Sequence, residues 1–175
     1  VCFDEISKLH RALVTNYHLG IDPGYGIVGF GIIDYENSNY KVVDYGVIET
    51  PKEEDISVRL AMIYDAIGKL TETFKPDQIA VEELFYFKNQ TTVIPVAEAR
   101  GVILLAAVHS CGEIFEYTPL QIKQALTGNG RAEKAQVQFM VKAILGLEKI
   151  PKPDDAADAL AVAICHANFN QTIVR

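Results

Sequence analysis

Tyr17-His18-Leu19-Gly20-Ile21-Asp22-Pro23-Gly24 is the stretch whose reading decides the fold. Apolar Leu19 and Ile21 alternate with Gly20 and Asp22, the period of a strand whose two faces differ. Pro23-Gly24 then breaks the pattern. An aspartate before proline is ordinarily a turn residue; the apolar flanks of Asp22 place it within a strand instead.

Working outward, Ile27 to Ile33 and Lys41 to Ile48 read as two further strands joined by the turn-rich Glu36-Asn37-Ser38-Asn39, which predicts a three-stranded antiparallel meander. Val58, Ile63, Ile67 and Leu70 recur at helical spacing, and the pattern stops before Pro76. Gln78 to Val81 is a short strand ending in Glu82-Glu83. A long helix is expected from about Pro95 to Ser110, a strand from Ile114 to Tyr117, and helices from Pro119 to Leu126 and Ala132 to Leu147. A last helix begins near Pro153, where Asp154 or its neighbour can cap it. Three strands followed by helices alternating with two more strands predict an α/β domain with a mixed five-stranded sheet. Residues 1–16 fit poorly with the pattern that begins at Tyr17 and read equally as an extension, a foreign remnant or an added helix; 17–170 form one domain, and 171–175 a short tail.

At 175 residues the chain is long enough for one sizeable core. The longest apolar run, Val102 to Val108, is far shorter than a membrane span, and no signal-peptide pattern opens the sequence. A soluble intracellular protein is expected. Cys2, Cys111 and Cys165 are too widely spaced for a disulfide framework or a thiolate zinc site, and read as free thiols. The net charge of −7 argues against a nucleic-acid partner, but it is unevenly spread. From Tyr117 to Lys149, Lys123, Arg131, Lys134, Lys142 and Lys149 face only Glu133 and Glu148. A local basic face can bind DNA whatever the total charge.

Asp22 lies within the first strand, among apolar residues and small glycines, and Glu82 lies at the C-terminal end of the fourth, where open α/β sheets place their ligands. Asp155 and Asp158 are three apart on the last helix and share a face. Singly, each has an ordinary reading: a turn residue, a solvated strand end, an acid complementing a helix dipole. Gathered in a partly buried site they would repel one another, and a divalent cation removes that cost. Hard oxygen donors suit Mg²⁺ or Mn²⁺. Two such ions roughly 4 Å apart activate water and stabilise the leaving oxygen in phosphodiester hydrolysis. Helical geometry admits Asp154, four residues before Asp158, as readily as Asp155.

Gly20-Ile21-Asp22-Pro23-Gly24, Ala80-Val81-Glu82-Glu83-Leu84-Phe85 and Asp155-Ala156-Ala157-Asp158-Ala159-Leu160 together resemble, in order and spacing, the three acidic motifs of RuvC Holliday-junction resolvases. The resemblance runs through Ala99-Arg100-Gly101 and Ala132-Glu133-Lys134 and spans Tyr17 to about Asn168. It implies a ribonuclease-H-like fold and a bacterial, cytoplasmic homodimer that resolves four-way DNA junctions during recombination and repair by paired symmetric nicks. The family's catalytic, metal-holding carboxylates match Asp22, Glu82, Asp155 and Asp158, which implies two Mg²⁺ ions per subunit. That match favours Asp155 and leaves Asp154 as a cap. Phe85 matches an aromatic near the junction centre, where stacking on an unpaired base is worth roughly 1–3 kcal/mol. Lys123 and Lys134 match basic residues beside the active site, and Arg131 adds to that DNA-binding face. The resemblance further implies a branch-migration complex of the RuvA–RuvB type as partner, with subunit contact on the long helix near Pro95 to Ser110. The chain departs from the family in its acidic total, its first sixteen residues and its lack of a basic tail.

Three other readings compete. A sugar-kinase or actin-like ATPase shares Gly-Ile-Asp-x-Gly but needs a second related domain. A YqgF-like nuclease or ribonuclease H would share the fold. A silent junction binder would lack one of the acids, and none is missing.

Overall fold

In the computed structural model, which describes residues 16–83, 90–111 and 113–173, the decisive stretch is strand β1 (Tyr17–Asp22). It occupies the middle of a five-stranded sheet of order β3-β2-β1-β4-β5. β2 (Ile27–Glu36) and β3 (Asn39–Glu49) complete the expected antiparallel meander. β4 (Gln78–Glu82) and β5 (Ile114–Tyr117) run parallel to β1. The hairpin is tighter than the sequence suggests, because Asn37 and Ser38 both adopt positive φ, 50° and 67°. A two-residue turn of that hand matches the strand twist, so pairing continues to Glu36↔Asn39.

Strand alternation sorts the layers. Leu19 and Ile21 of β1, with Ile79 and Val81 of β4, join the core beneath α1 (Ile56–Phe74) and α2 (Gln90–Cys111). The opposite face carries α3 (Pro119–Thr127), α4 (Lys134–Ile144) and α5 (Asp154–Ile173), whose core includes Ala80, Ile122, Val137 and Leu160.

Three helices differ from their predicted form. In α1 the buried stripe is Arg59, Ile63, Ile67 and Thr71, while Val58 is 43% exposed. An arginine therefore takes the core-facing position assigned to the valine. α2 starts at Gln90, with Pro95 inside it rather than at its head; so near the N-terminus, proline removes only one intrahelical bond. α4 is shorter at both ends than Ala132 to Leu147. Glu133 forms a capping box with Gln136 at its start, and Gly146 turns the chain out at φ 62°. Val93–Ser110 in α2 is, by length and composition alone, apolar enough to cross a bilayer, which contiguous runs did not register. Its Ala99, Ile103, Ala106 and Ala107 are buried in the domain core, and Arg100 pairs with Glu116 of β5.

A buried polar cluster lies at the end of β1 away from Asp22. His166 meets Tyr117 Oη at 2.8 Å and Gln78 Oε1 at 3.0 Å, while neither ring nitrogen of His18 has a hydrogen-bond partner among the described residues. Burial holds His18 down at about 4 and His166 at about 3. An unfolded histidine takes its proton near 6.5, so the unfolded chain binds more protons below that pH. These rings therefore contribute a loss of stability that grows as pH falls from 6.5 toward 4, on the order of 3 kcal/mol per ring. His18→Leu is expected to shrink the loss of unfolding free energy between pH 7 and pH 4.5, read by denaturant titration. An unchanged difference would mean that His18 is already charged in the fold.

Candidate active site

The register brings two carboxylates together. Gly20 pairs with Ala80 and Ile21 with Val81 across parallel strands, so Asp22 and Glu82, one residue further, stand side by side at the same strand ends. Alternation sends both to the face opposite Leu19 and Ile21, beneath α5.

Glycines set the height of α5 above that face. A Cβ on Gly20 would lie 2.2 Å from the Ala159 carbonyl oxygen, one on Gly31 2.8 Å from Leu160, and one on Gly29 2.1 Å from the Asp155 carbonyl oxygen. Gly29 is the ladder partner of Asp22. The first turn of α5 therefore rests directly beside Asp22, and Asp158 follows on the same helical face as Asp155.

The electrostatics follow from this crowding. Burial, then the neighbouring Glu82, Asp158 and Asp155, push the Asp22 carboxyl up to about 8. Burial and Asp158 push Glu82 up to about 7, with Lys134, Lys123 and a side-chain hydrogen bond from Asp22 acting the other way. Asp158 is also raised, chiefly by burial, although Lys134 Nζ lies 2.7 Å from its Oδ2. Asp154 behaves oppositely: half-exposed and bonded to Lys152 Nζ at 2.6 Å, it is lowered. One lysine does not neutralise three or four partly buried carboxylates.

That imbalance is what a divalent cation relieves, and an all-oxygen donor set is the type Mg²⁺ and Mn²⁺ accept. Among the described residues no three His, Cys, Asp or Glu side chains are grouped so as to hold a metal ion by themselves. An open array still suits Mg²⁺, which binds through one or two carboxylates, waters and substrate phosphate. The carboxylates therefore fit the ion.

Of the residues singled out from sequence, Asp22, Glu82, Asp155 and Asp158 come together. Lys134 joins them directly. Lys123 lies close enough to act on Glu82, and with Glu82, Lys134, Asp158 and Ile122 it lines a surface pocket. Arg131 is exposed on the loop between α3 and α4, its N–H donating to Asn129 Oδ1 at 3.0 Å. Phe85 lies outside the described residues. Asp154 bonds to Lys152 and also lies 3.7 Å from Lys134 Nζ, at the edge of the cluster. The glycine seat and the buried Arg59 were missed; glycines two apart in β2, on the face of Gly20, were the available signal for the seat.

The family model for Crossover junction endodeoxyribonuclease RuvC matches residues 18–166. The protein of that name from Clostridioides difficile (strain 630) is 55% identical over 153 residues, 87% of this chain and 90% of that one. The Thermus thermophilus RuvC structure superposes with a TM-score of 0.83 at 34% identity, covering 89% of this chain and 96% of that one. T. thermophilus RuvC in complex with Holliday junction substrate gives 0.81 at 32% identity, with the same coverage.

Proposed function

Because the chain belongs to the crossover junction endodeoxyribonuclease RuvC family, we propose that it resolves four-way DNA junctions with the carboxylate cluster of β1, β4 and α5. The observation that carries this reading is the convergence of Asp22, Glu82 and Asp158 into one partly buried, mutually repelling group beside Lys134. Asp155, whose backbone rests on Gly29 next to Asp22, completes the set.

Asp22, Glu82, Asp155 and Asp158 are the residues that would hold Mg²⁺, two ions per subunit, with Mn²⁺ as a substitute. Bound there, the metal supplies charge neutralisation and a water of lowered pKa at the scissile phosphodiester. Asp22 and Glu82 are held by adjacent strands and need little rearrangement, which is how preorganised groups contribute to rate. Asp158 is positioned by α5 and screened by Lys134. Lys123 and Lys134 draw the DNA backbone toward the acids, and such contacts position without reading sequence. Arg131 extends that face. Phe85 is assigned to the junction centre from its sequence match alone. The nicks would carry 5′-phosphate and 3′-hydroxyl ends, which can be resealed.

Paired nicks need two sites related by the junction's two-fold symmetry, and so a homodimer. α2 offers a suitable face: Ile94, Leu105 and Val108 are exposed, and the space around Gly101 is open. We assign the nuclease domain to residues 17–170, with α5 running on to Ile173. We place the protein in the bacterial cytoplasm, handing on junctions from a RuvA–RuvB-type branch-migration complex.

Lys134→Ala is expected to reduce the slope of log binding constant against log salt by about 1, the loss of one phosphate contact. Titrating a synthetic junction at several salt concentrations reads this directly. An unaltered slope would remove Lys134 from the DNA contact and leave it its ion pairs with Asp158 and Asp154.

A further inference from the structure

Arg59 is buried, 8% exposed, yet sits on the core-facing stripe of α1, and nothing in the chemistry described so far uses it. Its side-chain partners are Tyr25, in the segment beyond Asp22, and Thr50, the residue that follows β3. Its Nε donates to Thr50 Oγ1 at 2.9 Å, and its Nη2 donates to the Tyr25 carbonyl at 3.2 Å. The guanidinium also lies over the Tyr25 ring, 4.6 Å from the centroid. Thr50 closes the network: its hydroxyl donates to the same Tyr25 carbonyl at 2.7 Å, and its N–H donates to the Gly26 carbonyl at 3.0 Å.

We infer that Arg59, with Thr50, is a positioning residue for DNA cleavage: it clamps residues 23–26 and so fixes the Asp22 carboxylate. The inference rests on the nuclease reading above. Burying a cation is costly unless its donors are satisfied, and a planar guanidinium satisfies several acceptors in fixed directions. Here those acceptors are a backbone carbonyl, a hydroxyl and an aromatic face, all neutral, so the arrangement acts as a tether rather than as charge compensation.

The tether has a clear object. Asp22 is the last residue of β1, and the chain leaves it through Pro23 and Gly24. Repulsion from Glu82, Asp158 and Asp155 works on this strand end whenever the acids are ionised. Pairing with Gly29 holds the sheet side, and the Tyr25–Gly26 anchor holds the loop side. The fit at the anchor is close: a Cβ on Gly26 would sit 3.3 Å from Arg59 Nη2. The clamp joins α1, β3 and the β1–β2 loop, so the layer on one face of the sheet sets a carboxylate that works on the other.

The test uses the full chain with Arg59→Lys, which keeps charge but loses the fork, Thr50→Val, which keeps volume but loses the hydroxyl, and Thr50→Ser, which restores it. Three readouts are needed: single-turnover nicking of a four-way junction across a Mg²⁺ titration, junction binding in EDTA, and amide hydrogen exchange of residues 24–27 in the metal-free protein. For Arg59→Lys and Thr50→Val, a cleavage rate about 100-fold lower is expected, the scale of a small misplacement of a reacting group. The Mg²⁺ needed for half-maximal rate should rise about tenfold, as when support for a metal ligand is lost. Binding in EDTA stays within twofold, residues 24–27 exchange faster, and Thr50→Ser recovers most of the rate. Unchanged cleavage and exchange in both Arg59→Lys and Thr50→Val would overturn the clamp, as would a rate loss that tracks melting temperature and vanishes on cooling. If the unaltered chain does not cut junctions, the nuclease reading fails, and exchange in the metal-free variants still decides whether the clamp exists.

Discussion

Asp22→Asn is expected to abolish junction cutting, lowering the single-turnover rate by about 10³-fold or more, the several kcal/mol that metal-assisted charge stabilisation supplies. The amide keeps the size of the carboxyl and its place at the end of β1 but removes the charge that holds the cation. Junction affinity in EDTA should change little, because Lys123 and Lys134 are untouched. The same substitution should stabilise the metal-free protein. Asp22 is raised to about 8 in the fold, against 3.8 as the ordinary value. Between those values the unfolded chain has lost a proton that the folded chain retains, so stability falls as pH rises through that window. The shift corresponds to several kcal/mol. The amide carries no such dependence, so at pH 8 in EDTA the variant should melt above the parent. Added Mg²⁺ should raise the melting temperature of the parent more than that of the variant. Full nicking by Asp22→Asn would remove the carboxylate from the chemistry. A variant less stable at pH 8 would show that the acids do not repel one another in the fold.

Gly20→Ala carries the second large effect. Its methyl would meet the Ala159 carbonyl oxygen at 2.2 Å and the Ala163 nitrogen at 2.5 Å, both backbone atoms of α5. No side-chain rotation relieves that contact, so the helix must lift or the strand must bend. Overpacking of this kind reaches about 3 kcal/mol, which in a chain of this size lowers the melting temperature by roughly 6–12 °C. Lifting α5 also moves Asp155 and Asp158 away from Asp22 and Glu82, so cleavage should fall even well below the melting temperature. Gly68→Ala is the contrast. Gly68 lies within α1 with nothing within 4 Å of the added methyl, so about 0.5–1 kcal/mol of stabilisation is expected from helix propensity. Calorimetry of the two variants separates them. Equal melting temperatures would mean that α5 is not seated on the glycine.

Much of this arrangement was legible in the sequence because strands carry a strict two-residue period. Leu19 and Ile21 against Gly20 and Asp22 gave both the strand and the face of its acid, and Gln78 to Glu82 repeated the pattern. The final helix was equally plain, but its helical geometry was degenerate: Asp154 and Asp155 both reach toward Asp158. In the fold the backbone of Asp155 settles beside Asp22 against Gly29, while Asp154 binds Lys152 and lies 3.7 Å from Lys134 Nζ. Arg59 was hidden for a different reason. Apolar periodicity passes over a buried cation, because its burial is offset by partners at Tyr25 and Thr50 that lie far away in sequence. The helix ends at Lys134 and Ile144 were likewise decided by capping contacts, which a count of apolar positions does not contain.

The most direct test of the central claim is incubation of a synthetic four-way junction with the chain in Mg²⁺, in parallel with EDTA and with a linear duplex of the same sequence. Paired nicks on two strands of like polarity, symmetric about the crossover, are expected only with the junction and Mg²⁺ together. Equal cutting in EDTA, or cutting of the linear duplex with the junction left intact, would contradict it.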